Sequence, residues 1–292
     1  YTEANRNSID MMLAVNGIPV VAIELKNQLT GQSVDDAMRQ WEYNRNPKEY
    51  AFGFNKRVLA YFACDLYNVY MTTQLNGAET VFLPFNQGSN GAGKDGGAGN
   101  PTTEDGKYVT SYFWENVLQK DKLLDILQKF ISYERSEKKK IMPDGSTKTT
   151  VSSKVIFPRY HQLDVVRELV SHVRENGAGH NYLIQHSAGS GKSNSIAWTA
   201  YRMASLHDEN NNPIFDSVII VTDRRVLDQQ LQATVSGFDH TLGSVVSIDE
   251  KKNSGDLRDA INDGKRIIIS TLQKFPVIYD EVHSSVGKHY AV

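Results

Sequence analysis

Residues 183–198 read LIQHSAGSGKSNSIAW. An apolar stretch runs into a loop of small residues, and a Lys-Ser pair then opens a helix. Successive backbone N–H groups of Ala188, Gly189, Ser190, Gly191 and Lys192 can wrap a phosphate, and the helix N-terminus adds a favourable dipole. Lys192 would reach the β- and γ-phosphates of a nucleoside triphosphate, and Ser193 would set its hydroxyl on Mg²⁺. The full pattern has Gly five residues before Gly191, where this chain has His186. A glycine-rich turn between a strand and a helix is the alternative. Strand, GSGKS and helix in that order favour the phosphate cradle.

Working outward, helices and apolar strands alternate from Ile156 onward. Their expected ranges are 159–175, 182–186, 192–206, 217–222, 224–235, 244–248, 255–262 and 266–270. Such alternation implies an α/β unit with a parallel sheet covered on both faces. Residues 134–154 are charged and turn-rich, with Pro143-Asp144-Gly145 as a turn. They are expected as a linker, and Lys138–Lys140 reads as solvated rather than as a DNA patch. The expected division is 1–135, a linker at 136–155, and 156–292.

The front of the chain follows another pattern. NSIDMMLAV, Asn16-Gly17 and IPVVAIEL form a hairpin signal over 7–25. A helix fits 32–44, with Val34, Ala37, Met38 and Trp41 on one face. Strands are expected at 58–63 and 67–73, a Gly/Asn/Asp-rich loop at 86–107, and a helix over 112–132.

The hairpin carries Asp10 on one strand and Glu24-Leu25-Lys26 at the end of the next. Two carboxylates with a lysine two residues on suit a metal-dependent phosphodiesterase. Asp and Glu bind Mg²⁺ through oxygen. Lys can activate water or stabilise developing negative charge. Strand alternation puts Glu24 and Lys26 on one face. A plain two-residue turn would pair Asp10 with Ile23 and send Glu24 to the other face. A three-residue loop, or an equivalent bulge, would pair Asp10 with Glu24. A surface strand with ordinary charged ends is the other reading of E-x-K.

Composition sets the frame. The 292 residues suit about two domains, with a net charge of −2 and hence no overall basic field. The longest apolar runs are too short to span a bilayer. A single cysteine, Cys64, gives no disulfide framework, and no signal peptide opens the chain, so a cytoplasmic protein is expected. The chain starts at Tyr1 without Met and ends at Val292 in an apolar run, and is expected to be part of something longer.

Several segments together resemble the restriction and motor (R) subunit of type I restriction-modification enzymes: IDMMLAVNGIPVVAIELKN, FNQGSNGAGKDGGAGNP, FPRYHQLDVVRELV, QHSAGSGKSNSIAW, VTDRRVLDQQL and IISTLQKFP. The resemblance covers nearly the whole chain. It implies a PD-(D/E)xK restriction-endonuclease-like domain followed by the first RecA-like P-loop lobe of a superfamily 2 helicase-type motor. Helicase-type motors relax the glycine that His186 replaces. The implied activity is ATP-driven translocation and Mg²⁺-dependent cleavage of double-stranded DNA. Methylation and sequence reading would come from modification and specificity subunits.

The resemblance places the nuclease centre on Asp10, Glu24 and Lys26, with Gln40 in support. The family has Tyr four residues after this Gln. Here Asn44 stands there and Tyr43 is one residue early. Arg159, Tyr160 and Gln162 resemble the adenine-reading element of such motors, Tyr160 by stacking and Gln162 by its amide. A helix start with capping polar residues is their other reading. Thr222, Asp223, Arg224 and Arg225 match a motif that touches DNA backbone, and Thr271 and Gln273 match the next. Hydroxyl, amide and guanidinium groups suit such contacts, and strand-to-helix capping is the alternative for each. A helicase-like remodelling protein with a non-cutting, nuclease-derived DNA-binding domain is the rival reading of the whole.

Two segments are look-alikes. Gly88–Asp95 fits GxxxxGK, but Asp95 replaces the Ser/Thr that Mg²⁺ needs and more Gly follows where a helix should begin. Asp280-Glu281-Val282-His283 imitates a DExH box, yet it follows Pro276 rather than a buried strand. His289-Tyr290-Ala291-Val292 reads as the start of the strand that should lead into such a box. The competing view takes residues 280–283 as the box itself.

Overall fold

The computed structural model describes residues 7–88, 97–103, 106–141, 147–223, 225–238, 244–248, 252–278 and 288–292. Side chains 136, 138–141 and 225–230 lie outside the description. The chain is mixed α/β and splits into two compact units, Tyr1–His161 and Gln162–Val292. This boundary lies later than the expected 136–155.

In the front unit, β1 (Met11–Val15) and β2 (Ile18–Leu25) pair antiparallel. Asn16 and Gly17 close the hairpin at φ 51° and 80°, as a two-residue turn matching the strand twist requires. The register then slips. Ala14 faces Pro19 but Leu13 faces Val21, so Val20 is the extra residue of a bulge. Pro19 has no N–H to give to the ladder, which is why the irregularity falls beside it. Beyond the bulge Met11 faces Ile23, and the next pair outward is Asp10 with Glu24.

β2 also pairs in parallel with β3 (Ala60–Cys64), so the chain must cross over between them. The crossover holds α1 (Val34–Tyr43), whose first N–H bonds to the Asp65 carboxylate at 2.9 Å. Val34, Ala37 and Trp41 form its buried face and pack with Phe52, Val58, Tyr61 and Leu75. Trp41 Nε1 donates to the Phe62 carbonyl at 2.9 Å, which fixes the helix on the sheet. β4 (Val69–Thr72) and β5 (Leu83–Pro84) extend the five-stranded sheet antiparallel, in the order β1-β2-β3-β4-β5.

Two expectations change in this unit. The helix foreseen over 112–132 is broken: a π turn at Phe113–Val117 precedes α2 (Lys120–Lys129). Gln119 leaves the helical region at the break, with φ −55° and ψ 138°, and its side chain accepts from Lys122 N. The residues expected as a linker form a ribbon instead. β6 (Ser132–Ile141) and β7 (Thr147–Ile156) pair over ten residues each. Thr149, Thr150, Val151 and Val155 favour extended backbone, and Glu134 and Lys154 sit opposite and form an ion pair at 2.8 Å. The Pro143-Asp144-Gly145 turn lies outside the described residues.

The rear unit begins within α3 (Tyr160–Asn176). α4 (Lys192–Ala204), α5 (Arg225–Gly237) and α6 (Ser254–Asn262) flank a four-stranded sheet. Its strands are β8 (Ser217–Thr222), β9 (Val245–Ser247), β10 (Ile267–Thr271) and β11 (Tyr290–Ala291), in the order β11-β8-β10-β9, and all pairs are parallel. β8 and β10 are nearly continuous apolar runs because both faces are covered. Tyr290-Ala291 does start a strand, as its sequence suggested.

The strand expected at 182–186 does not form, and Leu183 is 95 % exposed. A strand needs a ladder, and edge strand β11 is two residues long with its described pairing directed to β8. Residues 280–283 lie outside the described residues.

Candidate active site

The bulge in the first hairpin and the crossover helix build one cluster. The bulge puts Asp10 beside Glu24, and an Asp10 oxygen accepts from Leu25 N at 2.8 Å. Lys26 follows on the face of Glu24, with its backbone N–H tied to the Cys64 carbonyl at 2.8 Å. From α1, Gln40 Oε1 accepts from Lys26 Nζ at 2.6 Å. Asp10, Glu24, Lys26 and Gln40 are thus gathered at one end of the hairpin.

Glu24 is fully buried at the edge of this cluster, and Asp10 is exposed. Arg45, 4 % exposed, donates to Glu24 Oε1 from Nε at 2.9 Å and from Nη2 at 2.5 Å. Glu24 Oε2 is buried and receives no N–H donor. Burial pushes the Glu24 carboxyl up to about 7; Arg45 opposes this, and a side-chain hydrogen bond with Asp10 and the Asp10 charge add to it. A buried carboxylate oxygen without a donor, beside a second carboxylate, is the chemistry that a divalent cation satisfies. Asp10 and Glu24 therefore fit Mg²⁺ as a pair. Among the described residues no group of three His, Cys, Asp or Glu side chains is placed to hold a metal.

Arg45 was not among the sequence candidates. It lies just past α1 in Asn44-Arg45-Asn46-Pro47, a turn composition that marks no buried base. Tyr43 is 69 % exposed at the helix end and joins none of these contacts.

In the rear unit Gly189 and Gly191 take φ of 74° and 81°, which L side chains rarely adopt. These left-handed residues turn Ala188–Lys192 into the mouth of α4, where Ser190 N bonds to the Ser187 carbonyl at 3.3 Å and the first turn of a helix offers N–H groups to an anion. Gln162 is buried, and its Nε2 donates to the Gly191 carbonyl at 2.9 Å. A Cβ on Gly191 would stand 2.5 Å from that nitrogen. Lys192 Nζ donates to the Ser187 carbonyl at 2.9 Å and the His186 carbonyl at 3.3 Å. Ser190 is buried and Ser193 half-buried. These residues fit a nucleotide's phosphates.

A cavity of about 350 Å³ lies between α4 and β8. Its walls are mainly aliphatic, including Ile184, Ile196 and Val218–Val221, with His186, Lys192, Ser195 and Thr199 as polar members. That lining is the wrong chemistry for a triphosphate.

Arg159 and Tyr160 belong to the front unit and Gln162 to the rear one. Arg159 is half-buried, which lowers its pKa. The Tyr160 ring meets Tyr112 and Phe85 edge-on, and its hydroxyl accepts from Gln87 Nε2 at 3.0 Å. Thr222 and Thr271 are register partners at the carboxyl ends of β8 and β10, where parallel sheets place ligand-binding groups. Gln273 Nε2 reaches Asp223 Oδ1 at 3.4 Å. Arg224 lies outside the described residues, as does the Arg225 side chain.

The glycine-rich loop gains a structural reason at its described ends. Asn100 donates to the Tyr67 carbonyl and Asn86 Oδ1, Asn86 donates to the Ala98 carbonyl, and Gly88 N bonds to Gly99 O at 2.7 Å. Gly88 has φ 83°, and a Cβ there would come 3.0 Å from the Gly97 carbonyl.

Residues 1–87 match the family of the type I restriction enzyme R protein N terminus, and residues 161–290 match the SWI2/SNF2 ATPase family. Among curated proteins, the chain is 26 % identical to the type I restriction enzyme HindI endonuclease subunit of Haemophilus influenzae, over 93 % of this chain and 24 % of that protein. It is 24 % identical to the provisionally assigned MjaVIIIP type I restriction endonuclease subunit of Methanocaldococcus jannaschii, over 86 % of this chain and 22 % of that protein. The chain thus spans about a quarter of the length of the curated relatives it matches. No solved structure matches it. These findings bear out the resemblance to a fragment of the type I R subunit. No helix among the described residues is long and apolar enough to cross a membrane.

Proposed function

We propose, for a chain that resembles the type I R subunit along nearly all its length, that it is the nuclease and first motor portion of an ATP-dependent DNA translocase and endonuclease. In this reading the front unit is a PD-(D/E)xK nuclease and the rear unit a RecA-like lobe. The whole protein acts on double-stranded DNA together with modification and specificity subunits. The observation that carries the reading is the bulge at Val20, which brings Asp10 to Glu24 beside the Lys26–Gln40 pair.

Asp10 and Glu24 Oε2 would hold Mg²⁺. Bound there, the cation supplies charge compensation for phosphodiester hydrolysis. Gln40 holds Lys26 Nζ by its carbonyl oxygen, so the ammonium has one fixed partner and two N–H groups to offer. That ammonium would meet charge developing on a phosphate oxygen. Lys26 N is tied to Cys64 and Leu25 N to Asp10, which limits rearrangement of the site as substrate arrives.

At the phosphate loop, nucleotide oxygens would replace the two carbonyls that now receive Lys192 Nζ. The N–H groups of residues 188–192 would take the phosphates, and Ser193 the Mg²⁺ that accompanies them. Gln162 would meet the base through its amide. Thr222, Asp223, Thr271 and Gln273 would track the DNA backbone without reading sequence.

Plasmid cleavage and ATP hydrolysis by the full-length subunit, assembled with its partner subunits, test the proposal. Lys26→Ala should abolish cleavage and spare ATP hydrolysis, whereas Lys192→Ala should abolish both. Undiminished cleavage by Lys26→Ala would favour a remodelling protein with a non-cutting front domain.

A further inference from the structure

We propose that Arg45 is the positioning residue of the Asp10–Glu24 centre, gripping Glu24 by Oε1 alone so that Oε2 stays committed to a cation shared with Asp10. The inference rests on the nuclease reading above and deepens it.

Arg–carboxylate pairs commonly engage as a fork, with two parallel N–H groups on two oxygens. Here the geometry differs. Nε at 2.9 Å and Nη2 at 2.5 Å both go to Glu24 Oε1, and Oε2 is buried with no N–H donor, while the Asp10 carboxyl shares a side-chain hydrogen bond with Glu24. An arginine serving stability alone would satisfy both oxygens, because a buried unpaired oxygen is costly. Leaving one unpaired is a cost with a use when a metal ligand has to face one way.

The rest of the guanidinium is also fixed. Nη2 donates to the Ser8 carbonyl at 2.6 Å, and Nη1 to the Asn44 carbonyl at 3.2 Å. Ser8 is two residues before Asp10. One side chain therefore ties together the segment leading into Asp10, the strand that carries Glu24 and the end of the helix that carries Gln40. Its charge also offsets part of the repulsion between the two carboxylates while its hydrogen bonds to Glu24 go to Oε1 alone. A lysine could supply the charge but not the several donors in a planar array.

Terbium(III), a hard ion that takes oxygen ligands as Mg²⁺ and Ca²⁺ do, is the probe. The chain is titrated as wild type, Asp10→Asn, Glu24→Gln, Arg45→Lys and Arg45→Met. Luminescence lifetimes in H₂O and D₂O count the waters on the bound ion. If Arg45 aims Glu24, Arg45→Met weakens binding by about 10–100-fold, the range for residues that orient metal ligands. It should also raise the water count by about one, as Glu24→Gln does by removing an oxygen ligand. Arg45→Lys keeps the charge and should show the same change in water count; it carries the test if Arg45→Met does not fold. Arg45 variants with wild-type affinity and water count, beside a Glu24→Gln variant that binds more weakly and with a raised water count, would overturn the inference and leave the nuclease reading standing. A lower melting temperature with an unchanged water count would overturn it too. If wild type, Asp10→Asn and Glu24→Gln bind alike, the metal centre itself is refuted and the inference falls with it.

Discussion

Raising the pH should destabilise the metal-free front unit through Glu24. Its carboxyl rises from an ordinary 4.5 to about 7 because burial outweighs the Arg45 contact. A folded-state pKa above the unfolded one means that the folded chain binds the proton more tightly. The stability from that proton is fully present below pH 4.5 and is lost as pH rises through 7. At about 1.4 kcal/mol per pH unit, the loss between pH 4.5 and 8 is about 3 kcal/mol. For a unit of this size that corresponds to a melting shift of about 6–12 °C. Thermal unfolding in EDTA from pH 5 to 8.5 reads it out, with Glu24→Gln as the non-titrating reference. The wild-type stability relative to that variant should fall with pH by about this amount, and Mg²⁺ at pH 8 should restore it in wild type alone. A flat difference, or a wild-type gain as pH rises, would show that Arg45 rather than burial governs the carboxylate.

Other outcomes follow from single contacts. Gly191→Ala drives a Cβ to 2.5 Å from Gln162 Nε2 at a positive φ, so it should abolish nucleotide binding by fluorescence titration; Gly189→Ala, with open space around it, should weaken binding less. Trp41→Phe removes the bond to the Phe62 carbonyl in a buried site and should lower stability by about 1–3 kcal/mol in urea unfolding. Gln40→Ala frees Lys26 Nζ and should reduce plasmid cleavage by the assembled enzyme less than Lys26→Ala does, with ATP hydrolysis unchanged. The 292-residue chain alone should hydrolyse ATP slowly and show no processive translocation in a triplex-displacement assay.

The readable parts of the sequence were those in which local chemistry decides. Asn16-Gly17 announced the hairpin, and the requirement that Asp10 meet Glu24 foretold a bulge, which Pro19 then located. The apolar runs of β8 and β10 announced a buried parallel sheet. Long-range partners were harder to read. Leu183-Ile184 carries strand chemistry but finds no ladder beside the two-residue β11. The charged segment 132–156 looked like a linker because its charges hide the pairing of Glu134 with Lys154 and the run of β-branched residues. Arg45 reaches Glu24 from 21 positions away, and nothing in its own neighbourhood marks it as buried.

On the proposed function, the first hairpin holds a catalytic divalent cation through Asp10 and Glu24. Anomalous diffraction from crystals of the chain grown with Mn²⁺ tests it most directly. A single strong peak in contact with Asp10 and with Glu24 Oε2, absent in Glu24→Gln, is the predicted result. Mn²⁺ found elsewhere, or a hairpin without a peak at saturating Mn²⁺ above pH 8, would contradict it.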